Sequence, residues 1–164
     1  MQYLRNVRFT SFLVIGFFVS LAVLGQENLK HRLLHGYLLS TDAPVVKGKP
    51  TLFVFELADT FGEVFKAASS QSKQPDAINF EKEMVIGVAL PATNKPPKLS
   101  ISRVFVQDST LTVRYIRMTD SAVVKSPLAT PIQPTLLIAI PKQTVLKTRL
   151  IENGKVMQTL KKDI

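Results

Sequence analysis

Short apolar runs alternate along the chain with polar, proline-bearing stretches, and most of the runs have the length and residue types of strands. Residues 84–90 (MVIGVAL) and 135–141 (TLLIAIP) are apolar on both alternating faces, the pattern of a central strand covered on two sides. Residues 51–57 (TLFVFEL) follow Pro50 and are rich in aromatic and β-branched side chains, which predicts another strand. The runs 99–106 (LSISRVFV) and 110–117 (TLTVRYIR) flank Gln107, Asp108 and Ser109, a hairpin loop by length and composition. In the second of them Leu111, Val113 and Tyr115 share one face and Thr110, Thr112 and Arg114 the other, so that strand has one wet side. Near the C-terminus Asn153-Gly154 lies between two β-rich segments and suits a type I′ turn, which needs positive φ at both central residues.

One segment breaks the strand pattern. Thr60-Phe61-Gly62-Glu63 matches a capping box, and Phe61, Val64, Phe65 and Ala68 then fall on one face of a helix ending near Ser70. Residues 27–40 (ENLKHRLLHGYLLS) are ambiguous, since they start with helical spacing but Gly36 interrupts them and Tyr37-Leu38-Leu39 equally begins a strand. Residues 41–50 form a connecting loop with a short edge strand at Val45-Val46, and residues 118–134, with their prolines, read as loop or edge. The sum is an α+β domain, one main helix packed on a mostly antiparallel sheet of about seven strands, spanning residues 51–164 after an N-terminal segment and linker at 26–50.

Residues 1–25 alter this picture. Arg5 and Arg8 precede an uncharged apolar run at 12–25, the order of a secretory signal peptide with cleavage near Gly25; a retained single-span anchor is the alternative. The expected location is therefore the periplasm or the extracellular space. With no cysteine in the chain, a lipid-bearing cysteine at the cleavage point, disulfides and thiolate metal sites are all excluded. Cleavage would leave 19 basic against 12 acidic residues, a net charge of +7. The basic residues are scattered, tryptophan is absent, and only Lys161-Lys162 are adjacent beyond the signal segment, so a nucleic-acid stripe is not expected.

The search for chemistry yields three weak patterns. Glu27, His31 and His35 are spaced by four and would share a helix face, yet no further ligand is marked and metal binding is not expected. Ser70-Gln71-Ser72-Lys73 fits the S-x-x-K pattern without the companion elements of serine acyl enzymes. Glu81 and Glu83 would share a strand face as a carboxylate pair, the basis of a hydrolase reading. Lys82 between them and the apolar run that begins at Met84 favour a solvated strand entry instead. No catalytic residue and no cofactor-binding residue is identified, and no glycine fingerprint for phosphates occurs.

The order of the pieces resembles the C-terminal domain of PrcB-like protease-complex subunits across residues 53–149. The resemblance rests on the helix with Phe61 and Phe65, on Asn79-Phe80 before residues 84–90, on the hairpin region 101–115, and on residues 134–140 ending in Pro141-Lys142. The chain departs from that family where Thr93-Asn94-Lys95-Pro96-Pro97 replaces a threonine-glycine-glycine-tyrosine turn, and where Asn79 replaces an aspartate. The resemblance implies an exported, non-catalytic protein that stabilises or accompanies a protease. Two proline-rich loops are the expected partner contacts, through Asn94, Lys95, Pro96, Pro97 and Lys98 in one and Lys125, Pro127 and Pro131 in the other. The rival expectation is a small-ligand carrier with an apolar pocket between helix and sheet, lined by Phe61, Phe65 and Tyr115.

Overall fold

The computed structural model describes residues 27–68 and 74–162. The signal peptide expected over residues 1–25 and the Ser70 to Lys73 pattern lie outside them. Strands dominate, and they form three sheets rather than one seven-stranded sheet. In chain order the strands are β1 (Glu27–Asn28), β2 (Arg32–Leu33), β3 (Tyr37–Leu39), β4 (Thr51–Phe55), β5 (Phe65–Ala67) and β6 (Glu83–Ala89). They continue as β7 (Lys98–Gln107), β8 (Thr110–Met118), β9 (Thr135–Pro141), β10 (Lys147–Glu152) and β11 (Lys155–Lys161). Two short helices, α1 (Ala58–Val64) and α2 (Ser121–Lys125), interrupt the series.

The five-stranded sheet runs β1-β7-β8-β10-β11, the four-stranded sheet β2-β9-β6-β4, and β3 pairs with β5 in a third. All pairings are antiparallel except β8 with β10, because the chain leaves the larger sheet after β8, supplies β9 to the smaller one, and returns. Alternation then sorts the side chains of the smaller sheet. Leu52, Met84, Ile86, Val88, Ile138 and Ile140 meet Leu111, Val113, Tyr115 and Leu150 of the larger sheet in one core. From the opposite face Phe53, Phe55, Val85, Leu137 and Ala139 meet Phe61, Val64 and Phe65 in a second. The central strands β6 and β9 are apolar on both faces because each face carries a layer, as the sequence implies.

The hairpin signals hold in detail. Asn153 and Gly154 have φ of 47° and 86°, and Asp108 and Ser109 have 48° and 55°, so both turns use left-handed residues as a type I′ connection requires. Gln107 pairs with Thr110 and belongs to the ladder.

The helix differs from expectation. It begins after Leu57, Thr60 donates its hydroxyl to the Leu57 carbonyl instead of capping, and it stops at Val64. Phe65 is already extended and starts β5, paired with β3. Aromatic packing explains the break: Phe65 turns inward from a strand, 2% exposed, and stacks on Phe61 at 5.6 Å while meeting Phe53 and Phe55 edge-on at 5.9 Å. Val45-Val46 is exposed loop, not an edge strand.

The ambiguous N-terminal segment is neither a helix nor a single strand. Within 13 residues it supplies a strand to each of the three sheets: β1 pairs with β7, β2 with β9, and β3 with β5. Leu29 and Leu34, between these short pairings, are buried one in each core. Gly36 makes the last turn possible, with φ of 81° and its α-carbon so close to Pro75 that a β-carbon would lie 2.7 Å from the proline Cα.

Candidate functional site

Glu81 and Glu83 are drawn into different local roles. Glu83 opens β6 and is gripped by Arg32 of β2 across the intervening β9, with Nε to Oε1 at 3.1 Å and Nη2 to Oε2 at 2.8 Å. The Asn79 backbone N–H also donates to its Oε2 at 3.1 Å. The Arg32 hydrogen bonds hold the Glu83 carboxyl below the usual carboxylate range, and the same contact raises the Arg32 guanidinium. A carboxylate fixed in its ionised form by a two-pronged guanidinium is suited to tie the N-terminal segment to the central strand. Glu81 lies in the turn before β6, its N–H donated to the Asn79 side chain.

The row of Glu27, His31 and His35 loses its basis because Glu27 opens β1 while His31 and His35 lie in the connections on either side of β2, not on one helix. The His35 N–H donates to Asp76 Oδ2 at 2.7 Å, with its ring Nδ1 3.2 Å from the same oxygen. Among the described residues no three histidine, aspartate or glutamate side chains converge.

The expected pocket between helix and sheet is filled. Phe61 and Phe65 are packed ring against ring under α1, and Tyr115 lies in the other core, beyond the four-stranded sheet. The Tyr115 hydroxyl donates to Glu152 Oε2 and not into a pocket, and Arg117 Nη1 stands 3.8 Å from Glu152 Oε1. Burial first, then the neighbouring carboxylate, raises the Tyr115 phenol far above its ordinary value.

The two proline-rich loops, by contrast, meet. One leads from β6 to β7 and the other from β8 to β9, so both cross between the two large sheets at the same end of the molecule. They extend the β6–β9 ladder beyond the strands. The Leu90 N–H donates to Pro134 O at 2.8 Å, Thr93 and Ile132 exchange bonds of 2.8 and 3.0 Å, and the Leu128 N–H reaches Asn94 O at 2.9 Å. The Asn94 side-chain amide returns a bond to Leu128 O at 2.8 Å. Asn94 thus ties the two loops together through both its backbone carbonyl and its side chain. Lys98 Nζ lies 3.4 Å from Asp120 Oδ2, and Asp120 caps α2 by accepting the Ala122 N–H at 3.1 Å.

Of the expected contact residues, Lys95, Lys98, Lys125, Pro127 and Pro131 are exposed, whereas Asn94, Pro96 and Pro97 are half-buried. Sequence reasoning missed the apolar part of this surface: Met118, Val124, Leu128 and Ile132 are 46%, 42%, 36% and 46% exposed. It also missed Arg117, Glu152 and Asn153, which with Lys95, Pro97 and Asp120 enclose a cleft of about 430 Å³ beside the loops. Asn153 locks that wall by accepting the Arg117 N–H at 3.0 Å and donating to the Arg117 carbonyl at 3.2 Å. The cleft's two acids each have a cationic partner, Lys98 for Asp120 and Arg117 for Glu152, while Lys95 and Lys125 extend into solvent around it. Compared with family models, curated proteins and solved structures, the chain matches none.

Proposed function

We propose that the protein is an exported, non-catalytic binding domain that works by engaging another protein, with an exported protease as the partner implied by its resemblance to PrcB-like subunits. The observation that carries this reading is the joining of residues 91–98 and 118–134 into one ridge through Asn94, Leu128, Thr93 and Ile132. Loops held by cross-bonds over a sandwich present a prepared surface, so less conformational freedom is lost on binding. The ridge combines exposed Met118, Val124, Leu128 and Ile132 with Lys95 and Lys125, an apolar centre with a basic rim that suits a partner carrying an acidic border.

The test is affinity capture of the tagged protein from its own host, beside a variant with Leu128→Asp and Ile132→Asp. Both side chains are exposed, so the fold should survive and the capture should fail. An exported protease recovered with the parent protein and lost with the variant supports the reading. Capture of nothing above background, or capture indifferent to the two substitutions, overturns it.

A further inference from the structure

The outer face of the five-stranded sheet, turned away from the core, gathers cations that the sequence scatters. Leu111, Val113 and Leu150 point into the core, so Arg114 points outward, as do Arg149 and Lys147 on β10. Register carries the same face across the sheet: Arg103 stands opposite Arg114, and Lys161 opposite Lys147. In the five strands of this sheet the only acids are Glu27 and Glu152. Both take inward positions, Glu27 opposite Val106 and Glu152 opposite Tyr115. Arg114, Arg149, Lys147 and Lys161 are exposed, and among the described residues none of the four has a carboxylate within ion-pairing distance.

This arrangement works against the fold. Like charges at opposed cross-strand positions repel, and the face carries two such pairs. Beneath the first pair lies the ring of Phe105, its centroid 4.8 Å from the Arg103 guanidinium carbon and 5.5 Å from that of Arg114. The arginine stems cover the ring, which is 5% exposed. Arg103 is held further by its Nε donating to Asn28 Oδ1 at 2.7 Å. Two guanidiniums fixed side by side are prepared to receive anions.

The cations descend the face diagonally. Arg114 is level with Ile151 of β10, Arg149 lies two residues before Ile151, and Lys147 two before that. With strands about 4.8 Å apart and two-residue steps of about 6.7 Å, the line from Arg103 to Lys161 runs roughly 20 Å. At its middle is a hollow of about 310 Å³, rimmed by Arg114, Arg149, Thr110 and Asp108, with the buried Phe105 and Ile151 as its floor. A polar rim over an apolar floor suits a sugar ring, whose hydroxyls lie at its edge and whose C–H groups lie on its faces.

Other anionic partners fit this face less well. Single-stranded nucleic acid binds by stacking its bases on aromatic side chains, and Phe105 is already covered by arginine. A lipid surface takes apolar side chains set beside the cations, whereas the outward positions at the lysine end, Gln107, Thr110, Lys147 and Lys161, are all polar.

We infer that the outer face of the five-stranded sheet binds a linear acidic polysaccharide, its carboxylate or sulfate groups engaged along the diagonal from Arg103 and Arg114 through Arg149 to Lys147 and Lys161. The diagonal shares no residue with the loop ridge and does not rest on the partner proposed for it.

The test is calorimetric titration of the purified protein with hexagalacturonate and with a heparin-derived hexasaccharide, the first carrying carboxylates alone and the second sulfates as well. Binding of at least one is expected, and which one binds tells carboxylate from sulfate recognition. The triple variant Lys147→Gln, Arg149→Gln and Lys161→Gln alters only exposed side chains and removes one repelling pair. It should therefore melt no lower than the parent while losing at least about tenfold in affinity. A control with the same loss of charge elsewhere, Lys47→Gln, Lys49→Gln and Lys82→Gln, should bind within about twofold of the parent. Absence of binding to both polysaccharides by the folded parent overturns the assignment. An equal loss in the control does so too, because net charge alone would then be responsible. Tighter binding of oligodeoxythymidylate or of phosphatidylglycerol vesicles, abolished by the triple variant, would overturn it in favour of nucleic acid or a lipid surface.

Discussion

Gly87 sits at the centre of β6 beneath the phenylalanine cluster, and adding one methyl group there tests whether that cluster is as tightly packed as its geometry implies. A β-carbon at Gly87 would lie 3.1 Å from Phe65 Cε2, 3.1 Å from Leu137 Cδ2 and 3.3 Å from Phe65 Cζ. Carbon atoms prefer roughly 3.5–4.0 Å, so both neighbours must yield by several tenths of an ångström. Neither has free space to enter, for Phe65 and Leu137 are 2% and 5% exposed and the ring is in contact with Phe53, Phe55 and Phe61. Overpacking of this kind costs about 1–3 kcal/mol, against which replacing a strand glycine by alanine returns about 0.5–1 kcal/mol of chain entropy. Gly87→Ala should therefore destabilise by about 0.5–2 kcal/mol in urea unfolding, as a lower midpoint at unchanged slope. The double variant gives the sharper reading. Phe65→Leu alone removes ring volume and should destabilise, but in that background the new methyl group enters the vacated space, so the two costs should fail to add by about 1 kcal/mol. Simple additivity, or a Gly87→Ala protein as stable as the parent, would refute the claim that Gly87 exists to admit the Phe65 ring.

Other perturbations separate the remaining forces. Since the Glu83 pKa is lowered on folding, its contribution to stability is present above the unfolded value of about 4.5 and is lost as pH falls through the lower folded value. Arg32→Ala should flatten stability against pH on that acid limb in urea titrations, and at about pH 7 should cost only about 0.5–1 kcal/mol because the guanidinium is 41% exposed; an unchanged acid limb would show that the pair does not hold the segment. Gly36→Ala combines φ of 81° with a 2.7 Å approach to the Pro75 backbone, and should cost about 2 kcal/mol or more by thermal unfolding. Tyr115, whose phenol is raised by burial and then by Glu152, contributes stability that is fully present below the unfolded tyrosine value of about 10 and is lost as pH rises from there through the folded value. In a spectrophotometric titration its ionisation should appear only with alkaline unfolding; a native protein in which every tyrosine ionises near pH 10 would contradict the buried hydroxyl.

The strands were legible because their information is local. Residues 84–90 and 135–141 are apolar at every position or nearly so, and a layer on each side of two neighbouring strands is what buries both their faces. Asn153-Gly154 announces its turn by residue type alone. The helix end was misread because Phe61, Val64, Phe65 and Ala68 fit a helical face as well as they fit a short helix followed by a strand. What decides between them is β3, well before them in the chain, which offers Phe65 to Ala67 a partner. The N-terminal segment was illegible for a related reason: two-residue pairings such as β1 and β2 carry no periodicity, and only the presence of β7 and β9 makes them strands.

The same distinction between local and assembled information holds at the surface. Proline content marked both loops in the sequence, but their union depends on Asn94 meeting Leu128, a contact made because both loops leave the sheets at one end. Lys147 and Lys161 are ordinary surface lysines by sequence, separated by a hairpin, and come to face each other only through the β10–β11 register. That register is displaced between Leu150 and Ile151: Ile151 faces Val156 and Leu150 faces Gln158, so Met157 is the extra residue of a bulge. A regular ladder counted from the Asn153-Gly154 turn would set Leu160 opposite Lys147, and the bulge is what brings Lys161 there instead. Deleting Met157 removes the bulge and shortens β11 by the same single residue, so Gln158 still faces Leu150 and Lys161 still faces Lys147. The folded deletion variant should therefore keep the backbone contact between residues 147 and 161, read as a cross-strand nuclear Overhauser effect. Loss of that contact in a folded deletion variant would show that the bulge itself, and not the pairing on either side of it, sets the register of β11.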